Sequence, residues 1–442
     1  MCVILLKILR GNVPMRIVHK YKNGAILIYE KNKLSKATAI RFGINRGGAL
    51  DNNTGRSHLL EHMLFKGTST KTKEQLDEDI RLNISSINAS TSSNSLVMRF
   101  YESSKQFEKA LQICADCFLN SNFPADELEK EKQVVLQEII RSKDDQNRIA
   151  YFNLWKTAYN YPQTKSQTLG DENKMLKISQ KSLIDYKTDN FISNNFYASV
   201  VSSLPFCTIK RIIKKQLVDK LTLGNKPNFN EYELTINAES ARVIEKMDRN
   251  KVKLLIAFPT TGFKNLKENF VSGLLLKYLN VIKSPMWNYF REKNQLVYAI
   301  SMGRSTYNND GLIMFNIETD PAKVNKCFDV LSELFAELQK GVDQKEVDRI
   351  RRNFKEGKDR YVGHPTDFCI DNMYELWGHG RLLKRKEFKF EKHAITQQNL
   401  QKSIDEIINF KKVFVSIVGN VDPKKIYSIK KIEQVLKSKT SN

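Results

Sequence analysis

The sequence predicts an α+β fold built as two homologous domains, each a mostly antiparallel sheet packed against helices. Three observations lead there. The chain has 442 residues, too many for one ordinary hydrophobic core. Strand-like alternating segments are interleaved with long amphipathic helical ones. The order of those elements in the first half recurs in the second.

In the first half, MRIVHKYKNGAILIYEK reads as two strands joined at Asn23-Gly24, a dipeptide suited to a tight hairpin. KATAIRFGINRGG reads as the next strand, followed by a helix over His58–Lys66. A further strand is expected at Ser95–Tyr101, then helices over Lys105–Leu119 and Pro124–Ser142. Pro124 fits a helix start, where its missing N–H is not needed. In the second half, KVKLLIAFPTT is a strand leading to a helix over Lys267–Ile282. LVYAISMGRST and GLIMFNIET are strands; FDVLSELFAELQKG and Gln344–Arg360 are helices. The halves also close alike, with LWKTAYN, SLIDYKTDNF and YASVVSS echoed by MYELWGH, NLQKSIDEI and VFVSIVGNV. The expected division is an extension at 1–14, a catalytic domain at 15–222, a charged linker at 223–240 and a homologous domain at 241–442.

Composition narrows the function classes. Hydrophobic residues make up 41% and aromatics 10%, which excludes wholesale disorder. No apolar run reaches the ~20 residues of a membrane-spanning helix. The opening MCVILLKILRGNVP is interrupted by Lys7 and Arg10 and makes a poor signal peptide. Six cysteines are sparse for this length, so reduced thiols and a cytoplasmic location are expected. Cys114 and Cys117 share a helical segment, LQICADCFL, and read as buried packing residues. The net charge of +23 could serve nucleic acid, membrane or acidic peptides. Its lysines are scattered at helical spacing, however, so general lysine bias is the favoured reading and nucleic acid is not an obligatory partner.

The chemistry lies in TGRSHLLEHMLFKGT, which contains H-x-x-E-H at His58, Glu61 and His62. Residues four apart share a helix face, so both imidazoles can reach one metal ion. Glu61 lies close enough to act on a water without occupying a ligand position; this is the inverted zincin order. A catalytic zinc takes three protein ligands and keeps one open position. The helix DELEKEKQVVLQEIIRSK offers Glu131 and Glu138 on one face, with Val134 and Val135 between them to bury it, while Glu127 and Glu129 read as solvating residues.

These residues resemble the pitrilysin/insulinase family of metallopeptidases, in particular the short branch related to mitochondrial processing peptidase. The stretch from Gly47-Gly48 through His58-x-x-Glu61-His62 to Phe65-Lys66-Gly67-Thr68, and EKQVVLQEI after it, carry the likeness. The resemblance implies one zinc ion per chain held by His58, His62 and Glu138, with Glu131 as a supporting acid. It also aligns Asn88-Ala89 with a substrate-binding Asn-Ala pair. In the second half FREKNQLVY is similar to the family's Arg/Tyr region, which makes Arg291 and Tyr298 substrate-engaging residues. Departures occur at Arg56, at Val201-Ser202-Ser203 and at Pro285-Met286-Trp287; none is a proposed ligand.

The implied activity is that of a metalloendopeptidase acting on unfolded peptides or precursor segments, with Glu61 as general base. The resemblance further implies a clamshell of two domains, peptide binding by strand addition, and a homodimer. Two other classes stay open: a catalytically inactive scaffold, and a basic protein associated with nucleic acid or membrane. His19, His364, His379 and His393 have no ligand-like spacing to one another and are assigned no role; His364 before Pro365 and His379 between Gly378 and Gly380 read as loop residues.

Overall fold

A computed structural model of the chain describes residues 15–33, 35–160, 167–225, 235–307, 309–360, 365–384, 387 and 390–439. The proposed extension 1–14, the middle of the proposed linker and His364 lie outside the described residues.

Two mixed sheets organise the molecule. The first contains β1 (Arg16–Lys20), β2 (Ile26–Lys31), β3 (Ala37–Ile44), β4 (Ser86–Thr91), β5 (Leu96–Ser103) and β6 (Phe196–Ser202). Their spatial order is β1-β2-β6-β3-β5-β4, antiparallel throughout except where β2 meets β6. The second contains β7 (Ala241–Lys246), β8 (Val252–Thr261), β9 (Val297–Thr306), β10 (Asp310–Thr319) and β11 (Phe414–Gly419), ordered β7-β11-β8-β10-β9. It too is antiparallel except for one pair, β11 with β7. From β2 onward the two orders correspond strand for strand, so β4 and β9 are equivalent edge strands. The expected repeat is therefore present in the topology.

The helices of the first half are α1 (Arg56–Met63), α2 (Lys73–Asn83), α3 (Phe107–Asn120), α4 (Ala125–Asp144), α5 (Gln146–Ala158), α6 (Glu172–Leu176), α7 (Gln180–Asn190) and α8 (Phe206–Gln216). In the second half they are α9 (Leu266–Leu279), α10 (Pro285–Trp287), α11 (Val324–Gln339), α12 (Gln344–Arg360), α13 (Pro365–His379), α14 (Glu391–Ala394), α15 (Gln397–Ile408) and α16 (Ile429–Lys437). None of the described helices is long and apolar enough to cross a membrane.

Strand periodicity explains how helices cover both faces of each sheet. In β8, Leu254, Ile256 and Phe258 enter the large core under α9, α11 and α15. The alternate residues Leu255 and Ala257 face the other way, and there they meet Ala150, Leu154 and Ala158 of α5. A strand buried on both faces reads as an unbroken apolar run, as LLIAF does. The first sheet behaves likewise. Leu27 and Tyr29 join the core under α1, α3 and α4, whereas Ile28, Ala39, Val97 and Val201 meet Phe368, Cys369, Met373 and Leu376 of α13.

Each half thus lends one helix to the far face of the other half's sheet. Polar ties accompany the exchange. Gln146 at the start of α5 donates to the carbonyls of Lys251 (2.8 Å) and Val418 (2.7 Å), and Asn153 donates to Glu245 at 2.6 Å. Arg16 pairs with Glu375 on α13 at 2.8 Å.

Some local expectations need correction. His379 ends α13 and is not a loop residue; Gly380, with φ +68°, terminates that helix in the left-handed conformation glycine adopts freely. Val134 does not help bury the Glu131/Glu138 face, because it is exposed while Val135 is fully buried. Glu127 is buried rather than solvating the helix, and it pairs with Lys130 one turn on at 2.6 Å. Cys114 and Cys117 are buried free thiols, as the helical pattern predicts.

Candidate metal centre and active site

The site begins with the local chemistry that starts α1. Gly55 caps the helix with φ +72°, and a Cβ there would fall 2.3 Å from the Leu169 carbonyl oxygen. Glycine is therefore required on both counts. Buried Asp51 accepts from the Ser57 backbone N–H at 2.6 Å, satisfying one orphan donor of the first turn, and also from the Ser57 hydroxyl. Leu59, Leu60 and Met63 pack into the core. The opposite edge of the same helix presents His58, Glu61 and His62.

Helix α4 supplies the facing carboxylates. Its buried stripe runs through Leu128, Glu131, Val135, Ile139 and Ser142, and the acids of its first turn and bases of its last turn suit the helix dipole. Glu138 Oε2 stands 3.6 Å from His58 Nε2 and 3.8 Å from His62 Nε2. The two imidazoles are 4.7 Å apart between centroids. Among the described residues this trio is the one group of His, Cys, Asp or Glu side chains with donor atoms close enough to share an ion, all within 4.8 Å.

The donor set fits zinc. Tetrahedral coordination at about 2.1 Å requires ligand atoms about 3.4 Å apart, close to the spacings found. Burial, then the neighbouring His62 and Arg148, push His58 down to about 3, which keeps its imidazole neutral and able to donate a lone pair. His62 Nδ1 lies 2.9 Å from Glu131 Oε2; with its proton there, Nε2 is left free to face the metal. The other Glu131 oxygen takes Lys66 Nζ at 2.6 Å. Burial raises Glu131, but Lys66 and His62 outweigh it and hold the carboxyl below its usual range.

Glu61 is raised above the ordinary carboxyl range, chiefly by burial and further by Glu138, against hydrogen bonding from Thr91 and the charge of His62. That combination suits a group that must take and return a proton. Thr91 ends β4 and was not singled out from the sequence; its position three residues after Asn88 on a strand packed against α1 is the signal that identifies it.

The remaining candidates fall into two groups. Asn88 is exposed and Ala89 buried on β4, the edge strand of the first sheet. Arg291 lies in a π-helical turn, Asn288–Lys293, and donates to the Val297 and Tyr298 carbonyls, both at 2.9 Å. The Tyr298 hydroxyl donates to Asp320, which raises the phenol above its ordinary value. The structure thus brings Arg291 and Tyr298 together. Among the described residues no hydrogen bond or ion pair joins them to the metal-ligand trio. The link is indirect: Lys251 Nζ sits 4.6 Å above the Tyr298 ring, and the Lys251 carbonyl accepts from Gln146, just beyond the end of α4.

Comparison with known proteins places the chain in a family. Residues 26–172 match the family description "Insulinase (Peptidase family M16)" and residues 177–354 match "Peptidase M16 inactive domain". An uncharacterized zinc protease of Rickettsia felis is 26% identical over 76% of this chain and 82% of its own length. The mitochondrial-processing peptidase subunit beta of Bos taurus is 23% identical over 93% of this chain and 86% of its own. The crystal structure of a protease from Helicobacter pylori superposes with a TM-score of 0.80 at 18% identity, covering 92% of this chain and all of that one. With both halves matched in order and the fold shared, the chain belongs to the insulinase family of peptidases, family M16.

Proposed function

We propose that this chain is a zinc-dependent endopeptidase that hydrolyses unfolded peptides or precursor segments, with Glu61 as general base. The observation that carries the reading is the convergence of His58, His62 and Glu138 on one point, with Glu61 on the same helix between the two histidines. Relatives named as zinc proteases and as a mitochondrial-processing peptidase subunit support it.

A zinc ion held by the trio would supply the Lewis acidity that makes water nucleophilic near neutral pH and polarises the scissile carbonyl. The other steps belong to the chain. Glu61 takes a proton from the attacking water and returns it to the departing amine. The free edge of β4 offers backbone N–H and C=O groups to an extended peptide, which favours unfolded substrates over folded ones. Tyr298 is a donor for the developing oxyanion once its hydroxyl leaves Asp320, and Arg291 braces the strand that carries it.

The test is cleavage of a pool of unfolded peptides by the wild type and by Glu61→Gln, both loaded with zinc. Cleavage by the wild type alone supports the reading. Equal cleavage by both proteins removes Glu61 from the mechanism, and bound zinc without cleavage by either points to a scaffold.

A further inference from the structure

We infer that Lys66 is a positioning residue for the metal centre, holding the Glu131 carboxylate so that His62 presents its Nε2 to the ion. The inference rests on the reading of His58, His62 and Glu138 as zinc ligands. It concerns a residue outside both the H-x-x-E-H motif and the glutamate helix.

The geometry is a relay of three side chains, from α1, from α4 and from the segment that follows α1. Lys66 Nζ lies 2.6 Å from Glu131 Oε1, and Glu131 Oε2 lies 2.9 Å from His62 Nδ1. Lys66 follows α1, where its backbone N–H still donates to Met63 at 3.3 Å before the chain turns at Gly67 with φ +124°. A glutamate has three rotatable side-chain bonds and a broad terminal torsion, so one contact to an imidazole does not fix the carboxylate plane. Anchoring the second oxygen to an ammonium does, and the site is sheltered: the Glu131 side chain is 9% exposed and that of Lys66 23%.

The two histidines are not equally supported. His58 Nδ1 is buried and has no hydrogen-bond partner among the described residues. Orientation of the imidazole pair therefore depends on the His62 side, where the relay ends. Partners that touch a ligand directly, as Glu131 touches His62, typically change metal affinity by about 10–100-fold when lost; Lys66 stands one contact further out and acts through Glu131.

The experiment measures zinc affinity of the full chain by competition with a chelator, alongside the visible spectrum of the cobalt-loaded protein. Lys66→Met should weaken zinc by about 10-fold, the lower end of that range, and alter the cobalt spectrum, while Lys66→Arg should stay close to wild type. In the Glu131→Gln background, Lys66→Met should weaken zinc no further, because the relay is already cut. Wild-type affinity in Lys66→Met, or an additive loss in the double variant, overturns the inference. If Lys66→Met does not fold, Lys66→Gln replaces it in the same comparison. A wild type that binds no zinc overturns the ligand assignment itself, and with it the inference; a wild type that binds zinc regardless of Lys66 overturns only the latter.

Discussion

The Asn372 side chain on α13 donates to the Glu30 carboxylate on β2 at 2.8 Å, joining residues 342 positions apart. Beside it, Arg16 on β1 pairs with Glu375, whose side chain is almost fully buried. This polar cluster lies where a helix of the second half seals the first sheet, so the two halves should unfold as one unit. Removing one partner of a buried ion pair leaves an uncompensated charge and costs about 3–5 kcal/mol. Arg16→Met should therefore lower stability by about that amount in urea unfolding. Adding Glu375→Gln should restore part of the loss, since a neutral amide needs no counter-charge. A double variant no better than Arg16→Met would show that the pair contributes through packing and not charge.

Glu138 is the carboxylate whose removal should separate metal binding from folding. Its side chain is 42% exposed, so Glu138→Gln should leave the thermal midpoint of the zinc-free protein unchanged. Loss of a direct ligand should exceed the effect of losing a supporting residue, weakening zinc by more than about 100-fold. Zinc titration monitored by a competing chelator reads this directly. Wild-type affinity would move the third ligand elsewhere on the chain.

Much of this arrangement was legible in the sequence, for physical reasons. Helical spacing puts His58 and His62 on one face, and the seven-residue interval does the same for Glu131 and Glu138. The strand and helix order followed from alternation and from turn residues such as Asn23-Gly24. The paired closing segments around Trp155 and Trp377 were also recognised as an echo. What the echo meant was not legible: these are α5 and α13, the exchanged helices, and periodicity reveals that a helix has an apolar face without saying which sheet receives it. The Glu131–Lys66 contact was hidden for a similar reason. Lys66 closes the helix expected over His58–Lys66, and spacing along one helix does not show which acid of another helix its ammonium meets. Glu127 and Val134 depart from expectation in opposite directions, one buried and one exposed, because which flank of α4 is covered depends on neighbours that its own sequence does not specify.

Tyr298 poses a question of which partner its hydroxyl serves. In this structure it donates to Asp320, a carboxylate held below its usual range by Lys323 and by the phenol itself. If the hydroxyl moves to an oxyanion during turnover, Tyr298→Phe should reduce kcat by roughly 100-fold, the usual cost of one such donor, with little change in KM. Asp320→Asn should weaken the competing acceptor and leave kcat at or above the wild-type value. Steady-state kinetics on one cleaved peptide distinguishes these outcomes. A Tyr298→Phe variant altered only in KM would make the residue a binding contact.

Lys187 gives the fold a pH dependence of its own. Burial lowers its ammonium to about 8, only partly offset by Asp116, although Nζ donates to the Ser121 carbonyl at 2.9 Å and lies over the Phe123 ring. The ordinary lysine value is 10.5. Between these two values the unfolded chain binds a proton that the folded chain has released, so stability must rise with pH across that window. Below about pH 8 both states are protonated, and the folded state bears the full cost of the buried charge. Lys187→Met removes that cost together with one hydrogen bond. Its stability relative to wild type should be most favourable near pH 7 and should decline steadily toward pH 10.5. Urea unfolding of both proteins at several pH values tests this, and a difference that stays constant with pH would mean that Lys187 titrates alike in the folded and unfolded chain.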